Sequence, residues 1–137
     1  MNKIIVDSSV ILDVFTDAPD WADWSTNALI KYGKNHSLII NDIIYSEISL
    51  AFNTVNQIDH AIHEAGLKVE RIPGEGLMAA AKAFLAYRKN KGLKTTTLPD
   101  FFIGAHAQVL NIPLLTRDTS KIKTYFPDVK IISPENL

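Results

Sequence analysis

Short apolar runs of strand length recur along this chain at Ile4-Ile5-Val6, Leu38-Ile39-Ile40, Val69 to Ile72, Pro113-Leu114-Leu115 and Lys130-Ile131-Ile132, with stretches of helical period between them. Apart from Val69 to Ile72, which holds Glu70 and Arg71, the runs are apolar almost without alternation, which is what strands covered on both faces require. The helical stretches are Ser8 to Phe15, Trp21 to Lys34, Asp42 to Phe52, Val55 to Ala65, Leu77 to Asn90 and Asp100 to Leu110. Alternating strand and helix predict a mainly parallel sheet with helices on both faces, joined by right-handed crossovers: a three-layer α/β/α domain. Chain breakers fall where such a fold needs them, at Ala18-Pro19-Asp20, Gly66, Pro73-Gly74, Gly92, Pro99, Pro113 and Ser133-Pro134. No repeat, low-complexity tract or linker divides the pattern, so residues 1–137 are expected to form a single domain.

Composition removes several function classes. Fourteen Lys plus Arg against fifteen Asp plus Glu leave a formal net charge of −1, so no bulk basic field marks a nucleic-acid or membrane binder and any such contact must be local. The absence of cysteine excludes disulfides, thiolate zinc sites and a cysteine nucleophile, and suits a reducing cytoplasm. Only three apolar residues separate Met1-Asn2-Lys3 from Asp7, too few for a secretory leader, and no apolar run approaches the roughly 20 residues of a membrane span. A cytoplasmic protein without a membrane partner is expected.

In open parallel sheets, ligands bind beyond the carboxyl ends of the strands, so residues that follow the apolar runs carry the most information. Asp7 follows Ile4-Ile5-Val6, and Asp118 follows Leu114-Leu115-Thr116-Arg117, so both should face one crevice. Asp7 also reads as the N-cap of the helix that starts at Ser8, although Ser8 could cap as well. Glu47 lies among Ile43, Ile44, Leu50 and Ala51 at helical spacing. An acid in an apolar stripe is costly unless it pairs with a cation, either a metal or an unseen Lys or Arg. Asp100 follows Pro99 at a helix start, where attraction to the helix dipole suffices to explain it. Its face carries Ile103, Gly104 and Ala107, small enough to bring the helix close to the sheet and the carboxylate over the strand ends.

Together the four acids make a stronger case than any one of them. Asp7, Glu47, Asp100 and Asp118 would repel one another in an empty crevice unless a cation were bound. Hard oxygen donors without a thiol or paired-histidine motif point to Mg²⁺ or Mn²⁺ over zinc or copper. Such an ion keeps several waters, and an activated water can attack a phosphodiester while the metal neutralises the developing charge.

Four blocks, Ile5-Val6-Asp7-Ser8-Ser9-Val10-Ile11-Leu12, Tyr45-Ser46-Glu47-Ile48, Leu98-Pro99-Asp100 through Ala105 and Ala107, and Leu114-Leu115-Thr116-Arg117-Asp118, occur in an order and spacing that resembles PIN-domain ribonucleases, especially the VapC-type toxins of toxin–antitoxin pairs. The match runs from Lys3 to about Ile132. The resemblance implies that the four acids hold Mg²⁺ or Mn²⁺ for endonucleolytic cleavage of single-stranded or loop RNA. It also implies supporting roles for Ser9 and Thr116, whose hydroxyls can orient a carboxylate or a metal-bound water, and a small antitoxin as partner. The plainer roles for this pair are satisfying the first helical turn and filling a β-branched strand position. A homodimer is expected too. Some relatives carry a further acid shortly after the fourth, but Thr119 to Ile122 offers none, which argues against a well-occupied second metal site.

Tyr87-Arg88-Lys89-Asn90-Lys91-Gly92-Leu93-Lys94 is the densest basic stretch and reads either as a phosphate contact or, more simply, as the ordinary cationic end of a helix. Arg117, Lys121 and Lys123, beside Asp118, are further candidates for RNA phosphates. His60 and His63 lack a zinc motif, and His36 and His106 stand alone. Trp21 and Trp24 share a helical face with Ala28 that suits either core or a dimer or partner groove, and Asp20 reads as the cap of their helix. Two other functions fit part of the pattern. A phosphate-receiving signalling domain needs an acidic pair after the first strand and a late strand-end Lys, but Ser8 follows Asp7 and no such Lys is present. A catalytically silent PIN-like binding module would be expected to have lost acids, and all four are here.

Overall fold

The computed structural model describes residues 2–90 and 97–134, with only the backbone of Lys121. The elements in chain order are β1 (Asn2–Val6), α1 (Ser8–Phe15), α2 (Ala22–Gly33), β2 (His36–Ile40), α3 (Asp42–Ile48), α4 (Val55–Glu64), β3 (Leu67–Val69), α5 (Gly74–Lys89), α6 (Leu98–Leu110), β4 (Leu114–Leu115), α7 (Ser120–Lys123) and β5 (Ile131–Ile132). A five-stranded sheet of order β3-β2-β1-β4-β5, parallel in every pairing, lies between helices as the alternating pattern predicts. β1 takes the centre because it can be buried on both faces: Ile4, Ile5 and Val6 are fully inaccessible to solvent. Its register pairs Ile4 with Leu38 and Ile5 with Ile39 on one side, and Val6 with Leu115 on the other. Each of these buried side chains contributes about 1.5–3 kcal/mol by leaving water.

Helices α5 and α6 start three and two residues earlier than read, and three further elements differ from the sequence reading. The third strand is Leu67–Val69 instead of Val69 to Ile72, because its partner β2 ends at Ile40, whose carbonyl accepts the Glu70 N–H at 2.8 Å as the ladder closes. This is an edge strand with Lys68 and Val69 exposed, so its apolar pattern is weak, and the buried Ile72 belongs to the turn before α5. The helix expected over Asp42 to Phe52 ends at Ile48 and tightens into a single 3-10 turn, Ser49–Ala51, where the Ser49 hydroxyl donates to the Tyr45 carbonyl at 2.7 Å. The short α7 was not anticipated, being only four residues long. Lys91, Gly92 and Lys94 lie outside the described residues.

Helix α6 is anchored by its aromatic neighbour to Asp100. The fully buried Phe101 ring meets Phe84 at 5.5 Å, Tyr87 at 5.2 Å, Tyr125 at 5.3 Å and Phe126 at 6.3 Å between centroids, tying α6 to α5 and to the segment after α7. Gly104 completes this packing. Its expected service was to bring α6 near the sheet, but what lies over it is the Phe126 ring. Among the described residues no helix is long and apolar enough to cross a membrane.

A Cβ at position 104 would stand 2.4 Å from Phe126 Cδ2, closer than any carbon can approach. Gly104→Ala is therefore expected to destabilise the fold by about 1–3 kcal/mol, the usual cost of overpacking. Thermal melting should show a fall of several degrees, partly recovered in Gly104→Ala/Phe126→Leu. An unchanged melting temperature in the single variant would refute the close approach.

Candidate active site

The chain leaves β1 toward β2 and leaves β4 toward β5, in opposite directions across the sheet, so the crevice beyond the carboxyl ends of β1 and β4 is the switch point of the topology. Asp7 and Thr116 are the first residues past those two ends. The Asp7 N–H donates to the Leu115 carbonyl at 2.8 Å, and the Thr116 N–H to the Ile132 carbonyl at 3.0 Å, so both backbones are fixed by the ladder itself.

Asp7 occupies the N-cap position of α1 in extended backbone, yet its side chain makes no capping hydrogen bond. Its Oδ2 instead accepts from the Thr116 hydroxyl at 2.8 Å and the Ser9 hydroxyl at 3.0 Å. The capping alternative is thus not what this carboxylate does. Thr116 is 1% exposed and its single proton goes to the charged acceptor, since the Asp118 carbonyl stands farther off at 3.3 Å. The same hydroxyl oxygen accepts the Asp118 N–H at 3.2 Å, so one threonine links the two strand-end aspartates. Asp118 Oδ1 accepts from the Ser120 N–H at 3.1 Å and hydroxyl at 2.8 Å, opening α7. Asp7, Ser9, Thr116 and Asp118 therefore form one continuous hydrogen-bonded group.

Asp100 and Glu47 stand on two helices that pack together. Asp100 is 8% exposed at the third position of α6, and its Oδ2 accepts from the Thr97 N–H at 2.8 Å and the Thr97 hydroxyl at 2.9 Å. One oxygen thus plays the helix-start role named as the plainer reading. Glu47, on α3, is half-buried with Oε1 shielded from solvent. Its stripe is shorter than expected: Ile44 and Ile48 are buried, whereas Leu50 is 93% exposed because the helix has already ended. Asn41 joins the two helices. Its Oδ1 caps α3 by accepting the Ile44 N–H at 2.9 Å, and its amide nitrogen lies 3.0 Å from Nδ1 of the fully buried His106 on α6. An amide nitrogen only donates, so His106 Nδ1 accepts and the ring is neutral.

Among the described residues no three Asp, Glu or His side chains converge closely enough to hold one metal ion as they stand. The donor chemistry does suit a hard divalent cation: the four carboxylates are all-oxygen ligands, and Asp7 takes both hydroxyls on Oδ2, with no hydrogen bond to its Oδ1 among the described residues. An apolar cavity of about 450 Å³ between α1, α2 and α4, lined by Val14, Leu29, Ile30 and Ala65, contains none of these acids. The site is defined by its strand-end hydrogen bonds.

Arg117, expected at a phosphate, turns its guanidinium inward. Nε and Nη2 reach Asp13 Oδ2 and Oδ1 at 2.9 and 3.0 Å, and the guanidinium carbon sits 5.1 Å over the Trp21 ring. Asp13 was missed by the sequence reading, although an acid three residues after the buried Val10 in an apolar helix already calls for a partner. Lys123 is exposed, and the Lys121 side chain lies outside the description. Exposed Arg88 and Lys89 end α5, in keeping with the plainer reading of the basic stretch. His60 stands 4.0 Å from Glu64 on the surface.

A parallel α/β sheet that gathers aspartates and hydroxyls at its switch point defines a class of α/β domains with carboxylate-based sites. Residues 4–127 match the PIN domain, and the chain belongs to that family, whose members are nucleases. Solved structures share the fold. The VapBC2 complex from Rickettsia felis, bound to a DNA fragment from its promoter, superposes with a TM-score of 0.74 at 15% identity over 96% of this chain and 98% of the other. VapBC-1 from nontypeable Haemophilus influenzae gives 0.72 at 16% identity over 96% and 97%, and FitAcB from Neisseria gonorrhoeae 0.67 at 18% over 98% and 99%. No curated protein matches the sequence.

Burial pushes the His106 imidazole below its ordinary 6.5, with Glu70 working against that shift and Lys3 with it. A folded value below the unfolded one means that, as pH falls beneath 6.5, the unfolded chain takes up a proton that the native state refuses, so stability is lost toward acid. Melting temperature should drop between about pH 7.5 and about pH 5. His106→Gln, whose amide cannot titrate, should show a smaller drop over the same range; equal drops in both proteins would clear His106 of the effect.

Proposed function

We propose that this chain is a metal-dependent endoribonuclease cleaving single-stranded or loop RNA, and the toxin of a toxin–antitoxin pair, with residues 1–137 as its single domain. The observation that carries the reading is the Asp7 carboxylate, which sits at a helix N-cap but is drawn to hydroxyls from two chain segments at the strand ends. A charge so held is not spent on capping its own helix. Membership of the PIN family supports the nuclease class, and the fold likeness to toxin–antitoxin complexes is in keeping with an antitoxin partner.

Asp7, Glu47, Asp100 and Asp118 would hold Mg²⁺ or Mn²⁺, which when bound would polarise the phosphodiester and activate a water. The chain's own residues prepare for this. Thr116 and Ser9 fix the rotamer of Asp7, Thr116 sets the Asp118 backbone, and the Asn41–His106 bond holds α3 against α6. The exposed Lys123 is a better candidate for an RNA phosphate than Arg117, whose fork faces Asp13. The antitoxin is a small protein that places a cation among the acids in place of the metal. A second copy would cover Leu77, Met78 and Leu85, exposed together on α5. The capping bonds of Asp100 favour one other reading, a silent PIN-like binding module, which would not respond to metal.

Asp7→Asn is expected to abolish Mn²⁺-dependent RNA cleavage while leaving the circular dichroism spectrum intact, and Thr116→Val to reduce cleavage roughly 10–100-fold. Millimolar Mn²⁺ should raise the melting temperature of the wild type by mass action, and the rise should vanish in Glu47→Gln. Full cleavage by Asp7→Asn would remove Asp7 from the site, whereas a melting temperature indifferent to Mn²⁺ together with no cleavage by the wild type would replace the metallonuclease reading with the silent module. The toxin role has its own test: expression of the wild type alone should arrest growth, whereas Asp7→Asn at the same level should be harmless. If both forms are equally benign, the toxin role falls and a housekeeping RNA-processing nuclease or a silent module becomes the better account.

A further inference from the structure

We propose that Asp13 and Arg117 are positioning residues, an internal clamp that holds the turn after β4 in place and through it Asp118 and the Thr116–Asp7 bond. The proposal rests on the reading of Asp7 and Asp118 as part of the nuclease centre. β4 has only two residues, and its last ladder bond is the Thr116 N–H to the Ile132 carbonyl. Arg117 and Asp118 come after it, outside the sheet. The backbone of Arg117 has one long contact there, its N–H to the Ser9 hydroxyl at 3.3 Å. The side chain supplies what the ladder does not. Its guanidinium forks onto both oxygens of Asp13 at 2.9 and 3.0 Å and lies over Trp21, reaching from the turn to α1 and the start of α2.

Asp13 is built to receive it. The residue is 3% exposed, and its Oδ2 also accepts the Ser25 hydroxyl from α2 at 2.7 Å. A carboxylate that far from water must be paired, so Arg117 cannot readily leave it to follow a phosphate. The planar fork defines direction as well as distance, which an ammonium does not. The Ser9 hydroxyl that receives the Arg117 N–H is the one that donates to Asp7, so turn and acid are fixed by a shared group. Moving the turn would therefore disturb both aspartates without removing either.

The test compares Arg117→Lys, which keeps the charge opposite Asp13 and loses the fork, with Asp13→Asn, and uses Asp13→Asn/Arg117→Gln to remove both charges should a single variant fail to fold. Amide hydrogen exchange at Arg117 and Asp118 should rise at least tenfold, with Ile5 and Asp7 unchanged. On an RNA substrate with Mn²⁺, kcat should fall about tenfold while the RNA KM stays within about twofold. Wild-type exchange and kcat in these variants would overturn the clamp. A raised RNA KM in Arg117→Lys alone, with Asp13→Asn behaving as wild type, would also overturn it and make Arg117 a direct phosphate contact. Asp7→Asn separates the two claims. If it still cleaves RNA, the placing of Asp7 in the nuclease centre falls, whereas amide exchange still decides whether Arg117 holds the turn.

Discussion

The pairing of β1 with β4 is the constraint from which the site follows. Because the chain reaches β4 only after building β2 and β3 on the other side, the two central strands end side by side with their connections departing in opposite directions. That divergence leaves the strand ends uncovered, and the Val6–Leu115 register puts Asp7 beside Thr116. A register shift of one residue would turn the Thr116 side chain to the other face of the sheet and leave the Asp7 carboxylate without its shortest donor. The apolar core thus does more than stabilise: complete burial of Ile4, Ile5, Val6, Leu114 and Leu115 is what specifies that register.

Around this centre several of the polar groups that lie deepest are tied to a second element. Asn41 caps α3 with one end of its amide and holds His106 of α6 with the other. Asp13 joins α1 to α2 through Ser25 and to the β4 turn through Arg117. Such links contribute little net stability, because desolvation offsets most of what the hydrogen bonds return. They matter more for geometry, since each can be satisfied only when two particular elements sit at one particular distance. Apart from α2, the elements joined are α1, α3, α6 and the β4 turn, which between them carry or flank all four carboxylates.

The parts of this arrangement that could be read from sequence are those governed by local pattern. Continuous apolar runs identify the central strands, and the first acids after them are Asp7 and Asp118. The order of strands in the sheet is non-local and was not read, whereas the parallel direction of the sheet followed from the alternation of strand and helix. Errors collected where pattern is weak. Lys68 and Val69 face solvent on an edge strand, so the third run was placed too late. Leu50 and Ala51 keep helical spacing with Glu47, but a serine–carbonyl bond ends the helix before them. Asp13 and Arg117 are separated by 104 residues, and nothing local to either names the other. Thr116 was legible as a hydroxyl near the acids, but not as the atom that joins two of them.

The hydrogen bonds also change what a carboxylate substitution means here. From sequence, four acids in one crevice suggest that deleting any charge should relieve repulsion and leave the fold as stable or more so. The structure shows at least three of them already serving as acceptors: Asp7 for two hydroxyls, Asp100 for Thr97, and Asp118 for Ser120. Truncation to alanine would strand those donors, and the buried Thr116 hydroxyl would lose its partner, at a cost of about 1–3 kcal/mol that has nothing to do with catalysis. Asparagine keeps one carbonyl oxygen of the same shape, and since both hydroxyls at Asp7 converge on a single oxygen, that carbonyl can receive both. The substitution then removes the negative charge while leaving the acceptor in place. A loss of cleavage in Asp7→Asn would therefore report on charge at the strand end, whereas the same loss in Asp7→Ala would mix charge with the collapse of the Ser9–Asp7–Thr116 linkage that holds the two strand ends together.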